Sequence, residues 1–236
     1  SYSDVNYGVM RGLVALGLFQ SQDEINRSPK QTYGEVRPGD IRYKDVNADG
    51  KIDDDDVVPI AHSNVPQIQY GFALEYRYKR WTISALFTGA AKVNFLYGGS
   101  GFYPFSGGEV GNILSIVNDP KNRWTPAWYS GDPSTENPNA RFPRLTYGEN
   151  KNNNRASTFW LADGSYLRWK SLDISYRIGT NKALRTVGIS DMNLQFVGQN
   201  LAVWDSVKLW DPGPASKNGA VYPLQRTFSL QLTATF

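Results

Sequence analysis

A chain of 236 residues is long enough for a large β-domain or for part of something larger. Its 25 basic and 22 acidic residues leave a formal charge of +3 and are interspersed, so they form no electrostatic footprint for nucleic acid. The absence of cysteine removes disulfides, Cys-zinc sites and thiol catalysis, and no run of about 18 apolar residues exists to make a transmembrane helix.

Aromatics are 14% of the chain while the mean hydropathy is only -0.47, which suits soluble β-proteins and β-barrels alike. A barrel hides its membrane band inside alternating strands, so an average over the chain misses it. The start, Ser1-Tyr2-Ser3-Asp4, has neither a basic n-region nor an apolar h-region and reads as a processed or excised piece. The opening segment to Phe19 mixes glycine with apolar residues and predicts one short strand and a Gly-rich connection. Gln22-Asp23-Glu24-Ile25 predicts a helical turn, with Ser21 as N-cap and Glu24 three residues on. Loop chemistry follows through Pro38-Gly39-Asp40.

Asp45-Val46-Asn47-Ala48-Asp49-Gly50-Lys51-Ile52-Asp53-Asp54-Asp55-Asp56 matches the calcium-loop pattern D-x-[DN]-x-[DN]-G. Ca²⁺ is a hard cation that takes oxygen ligands, and alternate residues supply them: Asp45, Asn47 and Asp49 by side chain, Lys51 by its carbonyl, then Asp53 and Asp56. Gly50 permits the sharp turn. Asp56 stands where a bidentate Glu is usual, so weaker affinity is expected. Ile41-Arg42-Tyr43 before the loop reads as extended, and Val57-Val58-Pro59 after it does not continue a helix. The pattern therefore predicts an isolated, Ca²⁺-stapled structural loop and not a helix-flanked sensor. The other reading is an acidic turn without metal.

From Gln67 to Tyr78 the residues alternate, with Ile68, Tyr70, Phe72, Leu74, Tyr76 and Tyr78 on one face. Lys79-Arg80 makes a short turn into a second strand, Trp81 to about Ala91, and the pair predicts a hairpin with aromatic residues near its turn. From about 98 to 157 the alternation stops, and Gly107-Gly108, Asn137-Pro138-Asn139 and Asn150-Lys151-Asn152-Asn153-Asn154 predict a long loop with one or two helical turns at Asn112 to Asn118. Trp160 to Ile178 and Asp191 to Leu201 restore alternation, and a loop with Asp211-Pro212-Gly213-Pro214 leads to the last strand. That strand, Arg226 to Phe236, puts Phe228, Leu230, Leu232, Ala234 and Phe236 on one face and Thr227, Ser229, Gln231, Thr233 and Thr235 on the other.

A bilayer-crossing strand needs roughly 9–11 residues with apolar-out, polar-in alternation, and a sandwich strand of a soluble protein meets the same conditions. Agreement of about six strands on one apolar and one hydrophilic face favours a barrel with short turns at one end and a long extracellular loop at the other. His62 is the only histidine, which removes His-rich zinc sites and makes a Ser-His-Asp triad improbable. Trp124, Trp128, Tyr129 and Trp160 flank the long loop and are candidate substrate contacts, because sugars stack on aromatic rings; packing inside the loop is the other reading.

Taken together, Gly39-Asp40-Ile41-Arg42-Tyr43 with the Asp45 to Asp56 loop, and Asn64-Val65-Pro66 leading to Tyr70-Gly71-Phe72, resemble the SusC/RagA family of TonB-linked outer-membrane transporters of Bacteroidetes. Arg141-Phe142-Pro143-Arg144-Leu145, Leu161-Ala162-Asp163-Gly164-Ser165-Tyr166-Leu167-Arg168, Gly198-Gln199-Asn200-Leu201 and the ending from Tyr222-Pro223 to Phe236 extend the resemblance in order. It implies an all-β fold: the C-terminal strands of an antiparallel outer-membrane barrel of about 22 strands, with long extracellular loops. Residues 1–236 would then be the C-terminal segment, with the plug and N-terminal domains absent from it. The implied function is non-enzymatic import of oligosaccharides or peptides. The implied partners are the remainder of the barrel, as another chain or an omitted segment, a SusD-like surface lipoprotein, and the TonB complex through the missing N-terminal part; a dimer of transporter–lipoprotein pairs is compatible with this. The loop departs from the commoner family form at Ala48, where Gly is usual, a change expected to matter little. The rival reading is a soluble secreted carbohydrate-binding β-sandwich with a Ca²⁺-stabilised loop. A third, a surface hydrolase accessory module, has no acid/base pair at recognisable positions.

Overall fold

The computed structural model describes residues 9–106 and 113–236. The expectations for residues 1–8, Gly107-Gly108 and Asn112 lie outside them. Among the described residues thirteen strands carry the fold: β1 Val9–Gly12, β2 Ala15–Leu18, β3 Lys30–Gln31, β4 Ile41–Tyr43, β5 Lys51–Ile52, β6 Val58–His62, β7 Ile68–Tyr78, β8 Trp81–Ala91, β9 Asn94–Leu96, β10 Leu161–Asp163, β11 Tyr166–Arg177, β12 Asp191–Asp205 and β13 Thr227–Thr235. The α-helices are short: α1 Gln22–Arg27, α2 Ser115–Asn118, α3 Ala127–Ser130 and α4 Lys182–Thr186. Among the described residues no helix is long and apolar enough to cross a membrane. The described residues divide into two compact units, one within 9–64, 94–106, 113–162 and 216–220, the other of 65–93, 163–215 and 221–236.

The second unit is a five-stranded antiparallel sheet in the order β13-β12-β11-β8-β7. Cross-strand partners in an antiparallel ladder share a face, so the register fixes which residues line each side. One row runs Tyr78, Trp81, Tyr176, Leu194, Leu232; the next Tyr76, Ile83, Ile174, Phe196, Leu230; the next Leu74, Ala85, Leu172, Gly198, Phe228. The opposite side reads Arg77, Thr82, Ser175, Gln195, Gln231 and then Glu75, Ser84, Asp173, Val197, Ser229. One side of the sheet is therefore apolar along its length and the other is hydrophilic.

The apolar side is tied together by rings. Phe72 stacks on Phe87 at 4.9 Å, Phe87 on Trp169 at 5.7 Å, and Trp81 meets Tyr176 at 4.6 Å beside the Lys79-Arg80 turn. The Tyr70 ring lies over Gly89, leaving a Cβ there only 2.4 Å from it, and the Tyr70 hydroxyl donates to the Tyr166 carbonyl at 3.0 Å. These apolar side chains are nonetheless open: every residue of β7 is exposed, and Leu230 is 72% exposed.

Several sequence expectations change. The opening segment holds two short strands, not one, and β1 pairs with β6 while β2 pairs with β4. The Trp160 to Ile178 stretch is not one strand. It breaks at Gly164-Ser165, and within β11 the alternation switches face between Trp169 and Leu172, because Lys170 is an extra residue in the ladder with β8. The strand from Asp191 continues past Leu201 to Asp205, through Asn200 at φ 52°. Helix α1 forms as its capping residues predict, with Ser21 Oγ accepting the Glu24 N–H at 3.2 Å.

Candidate functional site

The loop after β4 folds around its own carboxylates. Asp45 accepts the Gly50 N–H at 2.8 Å and the Asp49 N–H at 3.3 Å, Asn47 Oδ1 accepts the Asp49 N–H at 3.1 Å, and Asp49 accepts the Lys51 N–H at 3.0 Å. Gly50 sits at φ 86°, a conformation that favours glycine. Ala48 also lies in the left-handed region, at φ 61°. This corrects the expectation that Gly or Ala at 48 is indifferent: the residue is no side-chain ligand, but its backbone conformation costs an L-residue roughly 1–2 kcal/mol.

The closing residues have other commitments. Asp56 is fully buried, and its two oxygens accept the Val46 N–H at 2.7 Å and the Asp53 N–H at 3.0 Å, stitching the loop's end to its beginning. Asp53 pairs with the Lys51 ammonium at 2.5 Å, which holds its carboxyl below the usual carboxylate range. Asp54 faces the other way, pairing with Arg155 and accepting from the Tyr33 hydroxyl at 3.1 Å, while the Arg155 guanidinium lies 4.0 Å over the Tyr33 ring. Burial pushes the Tyr33 hydroxyl up to about 12. Hard oxygen donors thus gather at Asp45, Asn47 and Asp49. Among the described residues no three acidic or histidine side chains converge closely enough to grip an ion.

The framework holding this loop is a buried polar network that composition does not announce. Asp40 is fully buried and accepts from Asn153 Nδ2 at 2.8 Å, Asn150 Nδ2 at 3.1 Å and the Arg37 N–H at 2.8 Å. Arg144 Nη2 donates to it at 3.1 Å, while Nε lies 2.9 Å from Oδ1 without the alignment for a hydrogen bond. Asn152 and Gln31 both donate to the Ile41 carbonyl, at 3.0 and 2.9 Å, and Gln31 Oε1 accepts the Tyr43 N–H at 2.7 Å. The Asn-rich stretch is therefore interior structure, not a flexible linker. Gly39 has to be glycine because a Cβ would stand 2.3 Å from the Trp124 ring.

Beside the network lies an aromatic cluster. Phe102 stacks on Tyr97 at 5.0 Å and meets Trp160 edge-on at 5.6 Å and Phe142 at 5.7 Å, and Trp160 Nε1 donates to the Asn153 carbonyl at 2.6 Å. The four candidate aromatics therefore divide. Trp124 and Trp160 are buried parts of this interior. Trp128 and Tyr129 stand 84% and 69% exposed on α3, edge to face at 5.9 Å. Their turn is braced from below: the Ala127 N–H donates to Glu136 Oε1 at 2.7 Å, and Gly131 closes the helix at φ 75°.

The remaining motifs also have physical work. Arg168 pairs with Asp211, and Asn200 at the strand irregularity donates to the Gln225 carbonyl at 2.9 Å. Across known proteins no family model matches the chain. It is 28% identical over 240 residues to TonB-dependent receptor P26 of Formosa agariphila, covering 97% of this chain and 22% of that protein. TonB-dependent receptor P3 of the same organism is 24% identical over 217 residues, covering 86% of the chain and 20% of its own length. The chain thus spans about a fifth of these relatives. Among solved structures the RagAB peptide importer matches 97% of the chain and 22% of its own chain in the open-open state, at a TM-score of 0.63 and 16% identity. In the closed-closed state the match covers 97% of the chain and 23% of the importer's, at 0.64 and 18%. Fold and relatives converge on one class, the TonB-dependent receptors. Within that class the chain resembles the SusC/RagA family in its motifs, which run in order from Gly39 to Phe236, and it shares the fold of the importer structures.

Proposed function

We propose that this chain forms part of an outer-membrane, TonB-dependent importer of oligosaccharides or peptides that works with a SusD-like surface lipoprotein. In this reading the five long strands are a C-terminal stretch of a barrel of about 22 strands, with the Lys79-Arg80 turn periplasmic and the segment of about 98–157 an extracellular loop. The observation that carries the proposal is the pairing of continuous apolar rows on one side of the sheet with hydrophilic rows on the other, the apolar side chains remaining exposed. Water penalises such a surface and lipid does not. β7 and β13, which each pair on one side only within this sheet, then continue into the rest of the barrel. No catalytic role is assigned to any residue. Native mass spectrometry of detergent-extracted protein tests the proposal: the chain should travel with the remainder of a barrel and a lipoprotein. A folded 26.4 kDa monomer that needs no detergent would instead support the soluble sandwich.

We assign the loop at 45–56 to Ca²⁺ as a structural staple, held by Asp45, Asn47, Asp49 and the Lys51 carbonyl, with Asp53 and Asp56 closing the loop. Bound Ca²⁺ would supply charge neutralisation and rigidity there and no chemistry. In the complete protein, millimolar Ca²⁺ is expected to slow proteolysis within this loop and chelator to restore it. Asn47→Ala should abolish the calcium response and raise the calcium-free rate only slightly, through loss of its bond from the Asp49 N–H, whereas Asp56→Ala should loosen the loop strongly with or without the ion, because both its oxygens serve the backbone.

For substrate contact, Trp128 and Tyr129 are the exposed rings among the four candidates, whereas Trp124 and Trp160 are buried. Trp128→Ala is expected to weaken binding of a fluorescent oligosaccharide or peptide ligand by about tenfold, the scale of a lost aromatic anchor, with no change in melting temperature. A shifted melting temperature at unchanged affinity would make the ring structural.

A further inference from the structure

The segment of residues 206–215 lies folded over the hydrophilic side of the sheet. Arg168 pairs in register with Thr88 and Val203, and Thr88 with Gly71, so Arg168 projects from the same side as Ser84 and Asp173. It is only 7% exposed, and its Nη2 lies 2.7 and 2.6 Å from the two carboxylate oxygens of Asp211. The guanidinium also sits 5.4 Å from the centre of the Tyr166 ring. Asp211 Oδ1 accepts the Gly213 N–H at 2.9 Å, and a Cβ at Gly213 would stand 3.0 Å from that oxygen, so the backbone is drawn tightly over the ion pair.

The ends of the segment differ in kind from its middle. At its start Ser206 Oγ donates to the Asp163 carbonyl at 2.9 Å, the Lys208 N–H donates to Asp205 Oδ1 at 3.0 Å, and Val207 is buried. These contacts make a fixed root. At its far end Pro212 and Pro214 stiffen the chain, and Ala215 closes a turn on the Pro212 carbonyl at 3.0 Å with φ 48°. Between root and turn the Arg168–Asp211 pair joins the segment to the sheet, next to the buried Pro212. Pro212 and Gly213 form one wall of an open cavity whose other walls include Gln69, Gly71, Thr88 and Tyr166.

We propose that residues 206–215 are a clasped flap on the hydrophilic side, with Arg168 and Asp211 as the clasp, and that its release opens the space over Thr88 and Gly71. The proposal rests on the reading that this side lines a water-filled lumen. An ion pair suits a reversible clasp better than apolar packing. A buried pair gains little net stability over an apolar contact, because burial strips both ions of water. Each ion recovers that hydration when the flap lifts into an aqueous lumen, so opening is cheap, and on closure Nη2 again meets both carboxylate oxygens.

The test uses the complete transporter in lipid vesicles, with no other reactive thiol, carrying Thr88→Cys and probed by a small charged thiol reagent. This chain itself contributes no cysteine. Adding Asp211→Asn is expected to raise the labelling rate about tenfold and to speed amide exchange in peptides covering 206–215, while the β11–β12 ladder amides keep their protection. The double exchange Arg168→Asp with Asp211→Arg should restore most of the slow rate, which would not follow if each residue acted through its own separate packing. Should Asp211→Asn fail to assemble, Arg168→Lys keeps the charge, replaces the planar guanidinium by a compact ammonium on a shorter reach, and carries the same comparison. Unchanged labelling and exchange would overturn the flap. Failure of the underlying lumen reading would look different: Ala85→Cys, from the apolar side, would label as readily as Thr88→Cys in intact vesicles.

Discussion

Replacing Asp40 by alanine is expected to cost about 3–5 kcal/mol, the range for removing one partner of a buried ion pair. The carboxylate is fully buried and is the shared acceptor for Arg144, Asn150, Asn153 and the Arg37 N–H. Without it the guanidinium of Arg144 keeps its charge and loses its counter-ion, and two interior asparagines lose an acceptor. The effect should propagate along two routes. Asn153 Oδ1 also accepts the Ile41 N–H at 2.9 Å, and its backbone carbonyl receives the Trp160 indole, so both β4 and the aromatic cluster depend on where Asn153 sits. The measurement is limited proteolysis of the complete protein with exchange at Ile41 and Trp124 as local reporters. Asp40→Asn should fall between wild type and alanine, since it keeps one oxygen acceptor. A proteolysis pattern unchanged by Asp40→Ala would mean that Arg144 finds another counter-ion and that the network is not held together by this charge.

The long strands are legible from residue order because their side chains meet a two-sided environment, and period-two alternation is the direct imprint of that. β7, β8 and β13 show it without interruption. In β11 the imprint is present but shifted, and the succession of Trp169, Lys170, Ser171 and Leu172 carries the sign of the extra residue to a reader who expects one. The stretch from Asn150 to Asn154 was not legible. Asparagine favours turns by local hydrogen bonding, and nothing nearby shows that these amides bond Asp40 and Ile41 more than a hundred positions away. The division of Trp124 and Trp160 from Trp128 and Tyr129 was hidden for the same reason: ring chemistry is local, whereas burial is decided by distant contacts such as Gly39 against Trp124. The acidic loop was legible as a local pattern, since its oxygens are spaced by the chain itself. What the pattern does not show is that Asp56 spends both oxygens on the backbone.

A matched pair of arginine substitutions on β8 separates the two sides of the sheet. Ala85 and Ser84 are neighbours of similar size in a central strand, one in the apolar row with Leu74 and Leu172, the other opposite Glu75 and Asp173. Ala85→Arg is expected to cost about 2–4 kcal/mol, the range for a cation on the lipid face at mid-bilayer. Ser84→Arg should be tolerated, because the new cation has water and two flanking carboxylates. A third substitution distinguishes lipid from a protein core. Tyr78→Arg lies in the same apolar side but beside the Lys79-Arg80 turn, where the interface reduces the cost to about 0–1 kcal/mol. A soluble sandwich predicts no such gradient with depth, since a cation facing a packed second sheet is costly along the whole strand. Denaturant titration of folding into vesicles, read by the heat-modifiable mobility of the folded barrel, gives all three values in one experiment. A steep fall in cost from Ala85 to Tyr78 places lipid against these rows; equal costs at the two positions would place protein there and return the chain to the sandwich reading.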